Sequence, residues 1–239
     1  MRLDKFLSDM GICSRRDASR IGARGEIRVN GNVIRDPSAK INEEKDEVIF
    51  CGEKIRYEKT QIIMMNKPAG YICAADDPRE KTVTELLGDR EKRSELFPVG
   101  RLDKDTVGLL IFTNDGDLCH KLLSPKKHVD KIYYLKSDKP LGESDIAAFM
   151  EGVYIEKDLK TQPADLRIDT DPLYGYLTIH EGKFHQVKRM LEAVGKRVVY
   201  LKRVEFGGVS LDESLAPGEY RRLTDEERKV LMSSPSVMK

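Results

Sequence analysis

The spacing of apolar residues near the start of the chain predicts two short helices. Leu3, Phe6 and Leu7 follow one another at the three- and four-residue intervals of a single buried helix face. Ser14 is a typical N-cap residue for a second helix, and Gly25 is a typical residue just beyond its end. We therefore expect a compact helical unit at this end of the chain.

Apolar and polar residues then alternate on both sides of Asn30-Gly31. This pattern predicts a β-hairpin, because the dipeptide readily adopts the left-handed backbone conformations of tight hairpin turns. A further short strand is predicted over residues 48–50. The acidic and mixed stretch that ends near Thr60 shows little periodicity, so we interpret it as a linker.

The rest of the chain alternates between predicted strands and helices. Apolar or alternating runs bounded by turn residues indicate the strands, whereas helical spacing and capping pairs indicate the helices. Strands are expected from residue 62 and over residues 108–112, 131–135, 173–180, 198–206 and 219–223, and helices over residues 82–87, 117–124, 143–151 and from residue 224.

Residues 184–195 give the clearest helical pattern in the chain. Helical spacing predicts an apolar stripe made of Phe184, Val187, Leu191 and Val194. The same spacing predicts a polar face made of His185, Lys188, Arg189 and Glu192.

The composition limits the class of protein. The 239 residues are 35% charged and 39% hydrophobic, which is typical of a soluble protein with a core. No apolar run approaches the length of a membrane span, and no secretory signal peptide is visible. The four cysteines are too widely spaced for common zinc or disulfide motifs. We expect a cytoplasmic protein with reduced thiols, no metal site and no membrane association.

Charge is distributed unevenly, although the net charge is only +1. Residues 1–40 contain nine Lys/Arg against five Asp/Glu, and residues 183–203 contain seven against one. Basic patches of this kind favour binding to a phosphate backbone. The sequence therefore predicts a polyanionic partner that contacts two separate parts of the chain.

Residues 99–117, VGRLDKDTVGLLIFTNDGD, combine a glycine-opened loop with a short apolar strand. A loop fixed by such a strand can hold the carboxylates of Asp103 and Asp105 in a defined orientation. A second interpretation is that both acids are ordinary turn residues that bond their own backbone. A magnesium phosphohydrolase with an Asp-x-Asp site is a third interpretation. That chemistry favours an apolar strand directly before the first aspartate, and residues 98–101 do not provide one.

Several strings resemble those of one enzyme family. RLDKF and CSRRDA are similar to the S4 RNA-binding domain, and NKPAGY, GRLD, T-x-G-L-L, TNDG, K-x-Y, EGKFHQVKRM and LAPGEYRRL follow in that order. Together they resemble the RNA pseudouridine synthases that carry an S4 domain. The resemblance implies an α+β fold. It consists of an S4 (α-L) domain with a linker over residues 1–60, a catalytic domain with a mixed, mainly antiparallel sheet over residues 61–233, and a frayed tail over residues 234–239.

The resemblance also implies a reaction. Uridine is isomerised to pseudouridine, so the N1–C1′ bond breaks, the base turns, and C5 bonds to C1′; no cofactor is needed. By motif position, Asp103 is the carboxylate that either adds to C1′ or removes a C2′ proton. Tyr133 is the aromatic residue that stacks on the base and can take the C5 proton. Lys188 is the basic partner that keeps Asp103 ionised. Much of the wider family has arginine there, and lysine lacks its bidentate fork.

The expected RNA contacts combine the same resemblance with the basic patches. They are Lys5, Ser14, Arg15, Arg16, Arg20, Arg101, Lys183, His185, Gln186 and Arg189. The strings are most similar to the branch that modifies 16S ribosomal RNA, at uridine 516. The implied partner is 16S rRNA, free or in a ribonucleoprotein assembly intermediate, bound by a monomer. Two alternatives stay open: the same chemistry on 23S rRNA, and an S4-type RNA-binding protein without activity.

Overall fold

A computed structural model describes residues 1–124 and 129–233, which form two compact units. The first unit comprises residues 1–61 together with Leu87–Phe97, and the second comprises Ile62–Leu86 and the residues from Pro98 onward. The sequence predicted a boundary at residue 60, with residues 87–97 in the second domain. The structure instead places residues 87–97 in the first unit. The expected tail, 234–239, lies outside the described residues.

The first unit packs helices against a small sheet. Helices α1 (Leu3–Asp9), α2 (Arg15–Ala23) and α3 (Asp89–Arg93) accompany strands β1 (Ile27–Val29), β2 (Asn32–Val33), β3 (Val48–Phe50) and β4 (Glu53–Ile55). The strands pair antiparallel in the order β2-β1-β3-β4. Leu3, Phe6 and Leu7 are buried in its core, as their spacing predicts.

Local sequence signals explain how these elements begin and turn. The Ser14 hydroxyl accepts a hydrogen bond from the backbone N–H of Asp17 at 3.1 Å, so it caps α2 as predicted. Asn30 and Gly31 have φ values of +50° and +80°, which is the left-handed pair that a tight hairpin turn requires. The predicted second helix and hairpin are both confirmed.

Contacts around Gly11 explain why residues 87–97 belong to the first unit. Arg90 Nε donates to Met10 O at 3.3 Å, and Arg93 Nε donates to Gly11 O at 3.0 Å. A Cβ at position 11 would lie 2.1 Å from Arg90 O, so the close approach requires glycine. Gly11 therefore has a second role besides ending α1, because its missing side chain leaves room for the backbone of α3.

The second unit is built on a nine-stranded sheet with central order β11-β12-β8-β13-β7-β5-β15. Neighbours along this order pair antiparallel except β13 and β7, which are parallel. The expectation of an α+β fold with a mixed, mainly antiparallel sheet is confirmed. Its strands are β5 (Ile62–Lys67), β6 (Phe97–Pro98), β7 (Val107–Thr113), β8 (Lys131–Ser137), β11 (Asp165–Ile168), β12 (Tyr174–Ile179), β13 (Val198–Phe206), β14 (Val209–Ser210) and β15 (Tyr220–Arg222).

Helices and one separate hairpin complete the described part of this unit. The helices are α4 (Gly116–Leu123), α5 (Glu143–Glu151), α6 (Gln186–Ala193), α7 (Asp225–Ser233) and a 3₁₀ helix over Val83–Leu86, and the hairpin consists of β9 (Tyr154–Glu156) and β10 (Leu159–Lys160). The helix predicted over residues 82–87 is thus a single 3₁₀ turn, closed by the predicted bond from Thr82 N to Glu85 Oε1 at 2.8 Å. No helix among the described residues is long and apolar enough to cross a membrane.

The predicted start of the helix over residues 184–195 is wrong. Helix α6 begins at Gln186, and Phe184 is 69% exposed instead of belonging to the apolar stripe. The physical reason is the backbone of His185, whose φ of +49° is left-handed and breaks the helical path just before α6. The buried residues of the helix are Gln186, Val187, Met190 and Leu191.

Strand β7 lies in the middle of the sheet and supports the loop before it. Leu109 and Ile111 are fully buried, together with Leu118 and Leu122 of α4. Gly108, at the start of the strand, has φ +98°, and a Cβ there would lie 2.3 Å from Arg203 O of β13. Only glycine lets β13 approach at this point, so Gly108 fixes where the 103–107 loop joins the sheet.

Candidate active site

The side chains of Asp103 and Lys188 meet in the second unit. Asp103 lies in the loop between β6 and β7, and Lys188 lies on α6. Lys188 Nζ is 3.0 Å from Asp103 Oδ2 and 2.6 Å from Asp105 Oδ1. The sequence placed Lys188 with Asp103 but did not foresee that Asp105 shares the same ammonium.

The charges of this cluster stabilise one another. Burial disfavours the charged form of Lys188, but its hydrogen bonds to Asp105 and Asp103 outweigh burial, so the pKa of Lys188 lies above its ordinary value. Burial likewise acts to raise the pKa of Asp105, yet the bond from Lys188 outweighs it and the net pKa is lowered. At neutral pH the lysine is therefore protonated and Asp105 ionised.

His185 approaches the other oxygen of the same aspartate. Its Nε2 is 3.5 Å from Asp103 Oδ1. His185 has a left-handed backbone and stands just before α6. Its side chain does not cap the helix, so the imidazole is free to face Asp103. Asp103 is thus flanked by an ammonium and an imidazole, with its side chain 25% exposed.

Lys67 bonds the backbone of the loop that carries Asp103. The sequence analysis did not predict it as a site residue. It is fully buried at the end of β5, and its Nζ donates to Thr106 O at 2.8 Å, Pro68 O at 3.0 Å and Asp103 O at 3.1 Å. Burial lowers the pKa of Lys67. A lysine at the end of a strand that begins with four apolar residues, IIMMNK, is the signal that could have identified it.

Tyr133 lies on the same face of the sheet as Lys67. Cross-strand register pairs Tyr133 with Arg203, Arg203 with Gly108, and Gly108 with Lys67. Residues directly opposite one another project from the same face, and neighbouring strands are about 4.8 Å apart. The Cα of Tyr133 is therefore about 10 Å from that of Gly108 by strand spacing. Tyr133 is 7% exposed, so much of its ring packs within the unit.

Arg203 is a second buried cation in this row. It is 2% exposed, and its Nε donates to Leu109 O at 2.8 Å. Its guanidinium also lies 5.0 Å from the ring centre of Phe206. Thr106 Oγ1 and Arg203 Nη2 have no hydrogen-bond partner among the described residues. The sheet below the loop therefore carries two buried basic side chains, Lys67 and Arg203.

The other predicted RNA-binding residues of this unit differ in accessibility. Arg101 is exposed in the loop, two residues before Asp103. Gln186 is 4% exposed and donates to Glu181 Oε1 at 2.9 Å, so its side chain lies beneath the surface. Lys183 pairs with Glu181, and Arg189 Nη2 donates to Ile155 O at 2.7 Å.

The residues predicted to bind RNA in the first unit lie on α1 and α2. Arg15 and Arg16 are exposed on α2. Arg20 pairs with Asp17 at 2.9 Å, and Lys5 pairs with Asp9 at 2.6 Å. Ser14 serves as the N-cap described above, which explains its presence without an RNA contact.

The described residues contain no group of three or more His, Cys, Asp and Glu side chains that could hold a metal ion. Asp103 and Asp105, the pair considered for magnesium, share the ammonium group of Lys188. This arrangement suits a carboxylate that acts directly on its substrate.

Comparisons with known proteins identify the family of this chain. Residues 61–193 match the RNA pseudouridylate synthase family, and residues 1–48 match the S4 domain. An uncharacterized RNA pseudouridine synthase of Bacillus subtilis, YtzG, is 47% identical over 97% of this chain and 98% of its own. The ribosomal small subunit pseudouridine synthase A of Escherichia coli K12 is 42% identical over 95% of this chain and 98% of its own.

A solved structure supports the same assignment. A crystal structure of a pseudouridylate synthase matches with a TM-score of 0.67 and 38% identity, covering 96% of this chain and 99% of that one. The family match covers more than half of the chain and includes Asp103, Tyr133 and Lys188. The chain therefore belongs to the RNA pseudouridine synthase family, with an S4 domain preceding the synthase domain.

Proposed function

We propose that this protein isomerises a uridine of 16S ribosomal RNA to pseudouridine, at uridine 516. The observation that carries the proposal is the contact between Lys188 and Asp103, at 3.0 Å, in a chain of this family. The choice of 16S rRNA rests on relatives named ribosomal small subunit pseudouridine synthase A, which align over nearly the full length.

Asp103 acts as the catalytic carboxylate, either by adding to C1′ of the ribose or by removing the C2′ proton. The ammonium group of Lys188 lies 3.0 Å from Asp103 Oδ2, and Lys67 fixes the backbone of the loop through the Asp103 carbonyl. Tyr133 stacks on the uracil and accepts the C5 proton at the end of the reaction. The reaction breaks and remakes bonds within one nucleotide, so these residues suffice without a cofactor.

The target uridine must leave its stack before Asp103 can reach it. Turning a base out costs a few kcal/mol, which RNA contacts elsewhere have to offset. Arg101, exposed in the same loop as Asp103, is suited to fill the vacated space or to hold a phosphate. The exposed arginines of α2 supply further, salt-dependent affinity.

We further propose that the protein acts as a monomer in the cytoplasm, where rRNA is assembled. Its partner is 16S rRNA, free or within an assembly intermediate. Modification of 23S rRNA is the rival substrate within the family. Loss of activity with retention of RNA binding is disfavoured, because Asp103 and Lys188 are both present and in contact.

The test compares Asp103→Asn with Asp105→Asn, a matched change in the other carboxylate that contacts Lys188 Nζ. Pseudouridines are mapped in 16S and 23S rRNA from a deletion strain. The same mapping is done in that strain after each variant is expressed in it. Asp103→Asn should lower the rate of product formation by about 10⁴-fold or more, as removal of a central catalytic group does. Asp105→Asn should lower it less than about tenfold, because Lys188 keeps its bond to Asp103.

Each outcome has a distinct meaning. RNA binding by Asp103→Asn should stay within about threefold of wild type, since the change is isosteric. Product formation by Asp103→Asn at the wild-type rate would overturn the catalytic assignment. Pseudouridine missing from 23S rRNA alone in the deletion strain would overturn the 16S assignment and leave the carboxylate assignment intact.

A further inference from the structure

Phe184 is the most exposed large hydrophobic side chain among the described residues. Its exposure is 69%, and it lies in the segment that leads into α6, next to His185. Burying a phenylalanine stabilises a folded protein, so leaving this side chain in water forgoes that stabilisation. The mechanism described above gives this side chain no task.

The backbone around Phe184 is held in place from two sides. On one side, Lys183 N donates to Gln186 Oε1 at 2.8 Å, and the Gln186 amide donates to Glu181 Oε1 at 2.9 Å. On the other side, Arg189 Nη1 donates to Phe184 O at 3.2 Å. The backbone that bears the exposed ring is therefore held by hydrogen bonds, and such an ordered backbone is typical of a ligand-binding residue.

The ring of Phe184 lies two contacts from the catalytic carboxylate. It stacks on the imidazole of His185, with ring centres 3.8 Å apart and planes inclined by 18°. The same imidazole is 3.5 Å from Asp103 Oδ1. Asp103, His185 and Phe184 thus form a continuous series that runs from the reacting carboxylate out to solvent.

We propose that Phe184 binds RNA by stacking, and that the base it receives belongs to a nucleotide next to the target uridine. The inference rests on the proposed function. When the uridine turns out toward Asp103, its neighbour loses a stacking partner, and an exposed aromatic ring beside the site replaces that partner. One face of Phe184 stacks on His185, and the residue as a whole is still 69% exposed, which leaves ring surface for a base.

An RNA base fits this ring better than a protein surface does. In the chain, Phe184 stands between Lys183 and His185, which are both polar, whereas protein partners bind larger apolar patches. Nucleic-acid proteins commonly use single aromatic side chains in this way, and a base–aromatic stack changes binding by about 5- to 150-fold.

The test measures single-turnover pseudouridine formation on 16S rRNA from cells that lack the protein. Phe184→Ala and Phe184→Leu should raise the half-saturating RNA concentration by about tenfold or more, whereas Phe184→Tyr should stay within about threefold. Met150→Ala is the matched control, since Met150 is 62% exposed on α5. It should stay within about twofold of wild type, and all four variants should unfold at the wild-type temperature.

A direct readout uses a 16S rRNA fragment spanning uridine 516, with 2-aminopurine in place of the base on either side. Stacking quenches the fluorescence of this analogue, so wild type and Phe184→Tyr should quench it at one of the two positions. Phe184→Ala and Phe184→Leu should not. Quenching by Phe184→Ala equal to wild type, or a half-saturating concentration within twofold, would overturn the inference.

Two further outcomes separate this inference from the proposed function. If wild type forms pseudouridine and Phe184→Leu behaves like wild type, the ring binds as a simple apolar contact and the stacking inference is wrong. If wild type forms no pseudouridine in either rRNA, the proposed function is wrong and the inference, which depends on it, is wrong as well.

Discussion

Lys67 shows how one buried side chain can set the position of the loop that carries Asp103. Its ammonium group is fully buried and donates to three backbone carbonyls within 3.1 Å, two of which belong to Asp103 and Thr106. Backbone carbonyl dipoles stabilise a buried charge less well than water does, which is why burial lowers the pKa of Lys67. The gain from this arrangement is geometric, because the Asp103 backbone is bonded directly to the end of β5.

Replacing Lys67 with methionine should therefore impair catalysis more than RNA binding. Lys67→Met keeps the length of the side chain but leaves the carbonyls of Asp103 and Thr106 without their donor. A displacement of the carboxylate by about 1 Å is expected to lower the maximal rate by about 100-fold. The measurement is the single-turnover rate at saturating RNA, with the dissociation constant for RNA determined in parallel.

Lys104→Met is the control for this experiment, because Lys104 lies in the same loop but is exposed and pairs with Glu80 at 2.6 Å. Its maximal rate should stay within about threefold of wild type, since exposed ion pairs contribute little. If Lys67→Met also kept the wild-type rate, the loop would be positioned by the surrounding core alone.

Motif position predicted part of the residue-scale picture. The family strings pointed to the contact between Asp103 and Lys188 across a large sequence separation. They did not point to Asp105 as a second partner of Lys188, because sequence spacing does not indicate which of two neighbouring carboxylates faces a distant helix. Nor did they indicate the left-handed backbone of His185, since a non-glycine residue gives little sign of that conformation.

At the scale of elements, local chemistry predicted helix starts and the longer strands. The capping pair at Thr224 and Glu227 is present, with Glu227 N bonded to Thr224 Oγ1 at 3.2 Å. The predicted bounds of α5 and β13 agree with the structure. Three short strands, β9, β10 and β14, were missed, because two or three positions are too few to show a period. These strands are defined by the strands they pair with, β9 with β10 and β14 with β13.

Strand β8 carries a lysine whose titration should affect stability. Lys131 is 8% exposed, and its Nζ donates to Val129 O at 2.6 Å. Burial, assisted by the positive charge of Arg203, lowers the pKa of Lys131 to about 8. In the unfolded chain, Lys131 has the ordinary lysine pKa. Between pH 8 and about 10.4, Lys131 is therefore protonated more in the unfolded chain than in the folded protein. This group alone therefore makes the free energy of unfolding rise with pH across that window.

Lys131→Met should remove this pH dependence. The free energy of unfolding of wild type, relative to the variant, should increase by about 3 kcal/mol between pH 7 and pH 10.5, since one pKa unit corresponds to about 1.4 kcal/mol. Urea unfolding of both proteins at the two pH values measures the difference, in which the other titrating groups cancel. A difference that is the same at both pH values would show that Lys131 keeps an ordinary pKa.

At the scale of the whole molecule, the chain leaves its first unit and returns to it. Residues 87–97 rejoin residues 1–61 through bonds to Met10 and Gly11. This crossing was not predicted, since it depends on side-chain bonds to backbone atoms that have no sequence signature. Composition did predict the charge layout, and Arg15, Arg16, Arg20 and Arg24 are exposed on or beside α2 as expected.

The arginines of α2 should contribute affinity that depends on salt. Each side chain that neutralises a phosphate releases counterions, so the slope of log affinity against log salt falls by about one for each contact removed. Arg15→Ala/Arg16→Ala should therefore flatten the slope by about two units and weaken binding most at low salt. The measurement is a salt titration of the dissociation constant for 16S rRNA, from 50 to 200 mM.

The matched control is Lys121→Ala/Lys229→Ala, which removes two exposed positive charges from α4 and α7. Both double variants change the net charge equally, so a nonspecific field effect would flatten both slopes alike. A phosphate contact by α2 predicts a change only in the arginine variant. Equal slopes for wild type and the arginine variant would place the RNA elsewhere on the molecule. Because α2 is capped by Ser14, the arginine variant should unfold at the wild-type temperature, so that a loss of affinity reports on contact and not on folding.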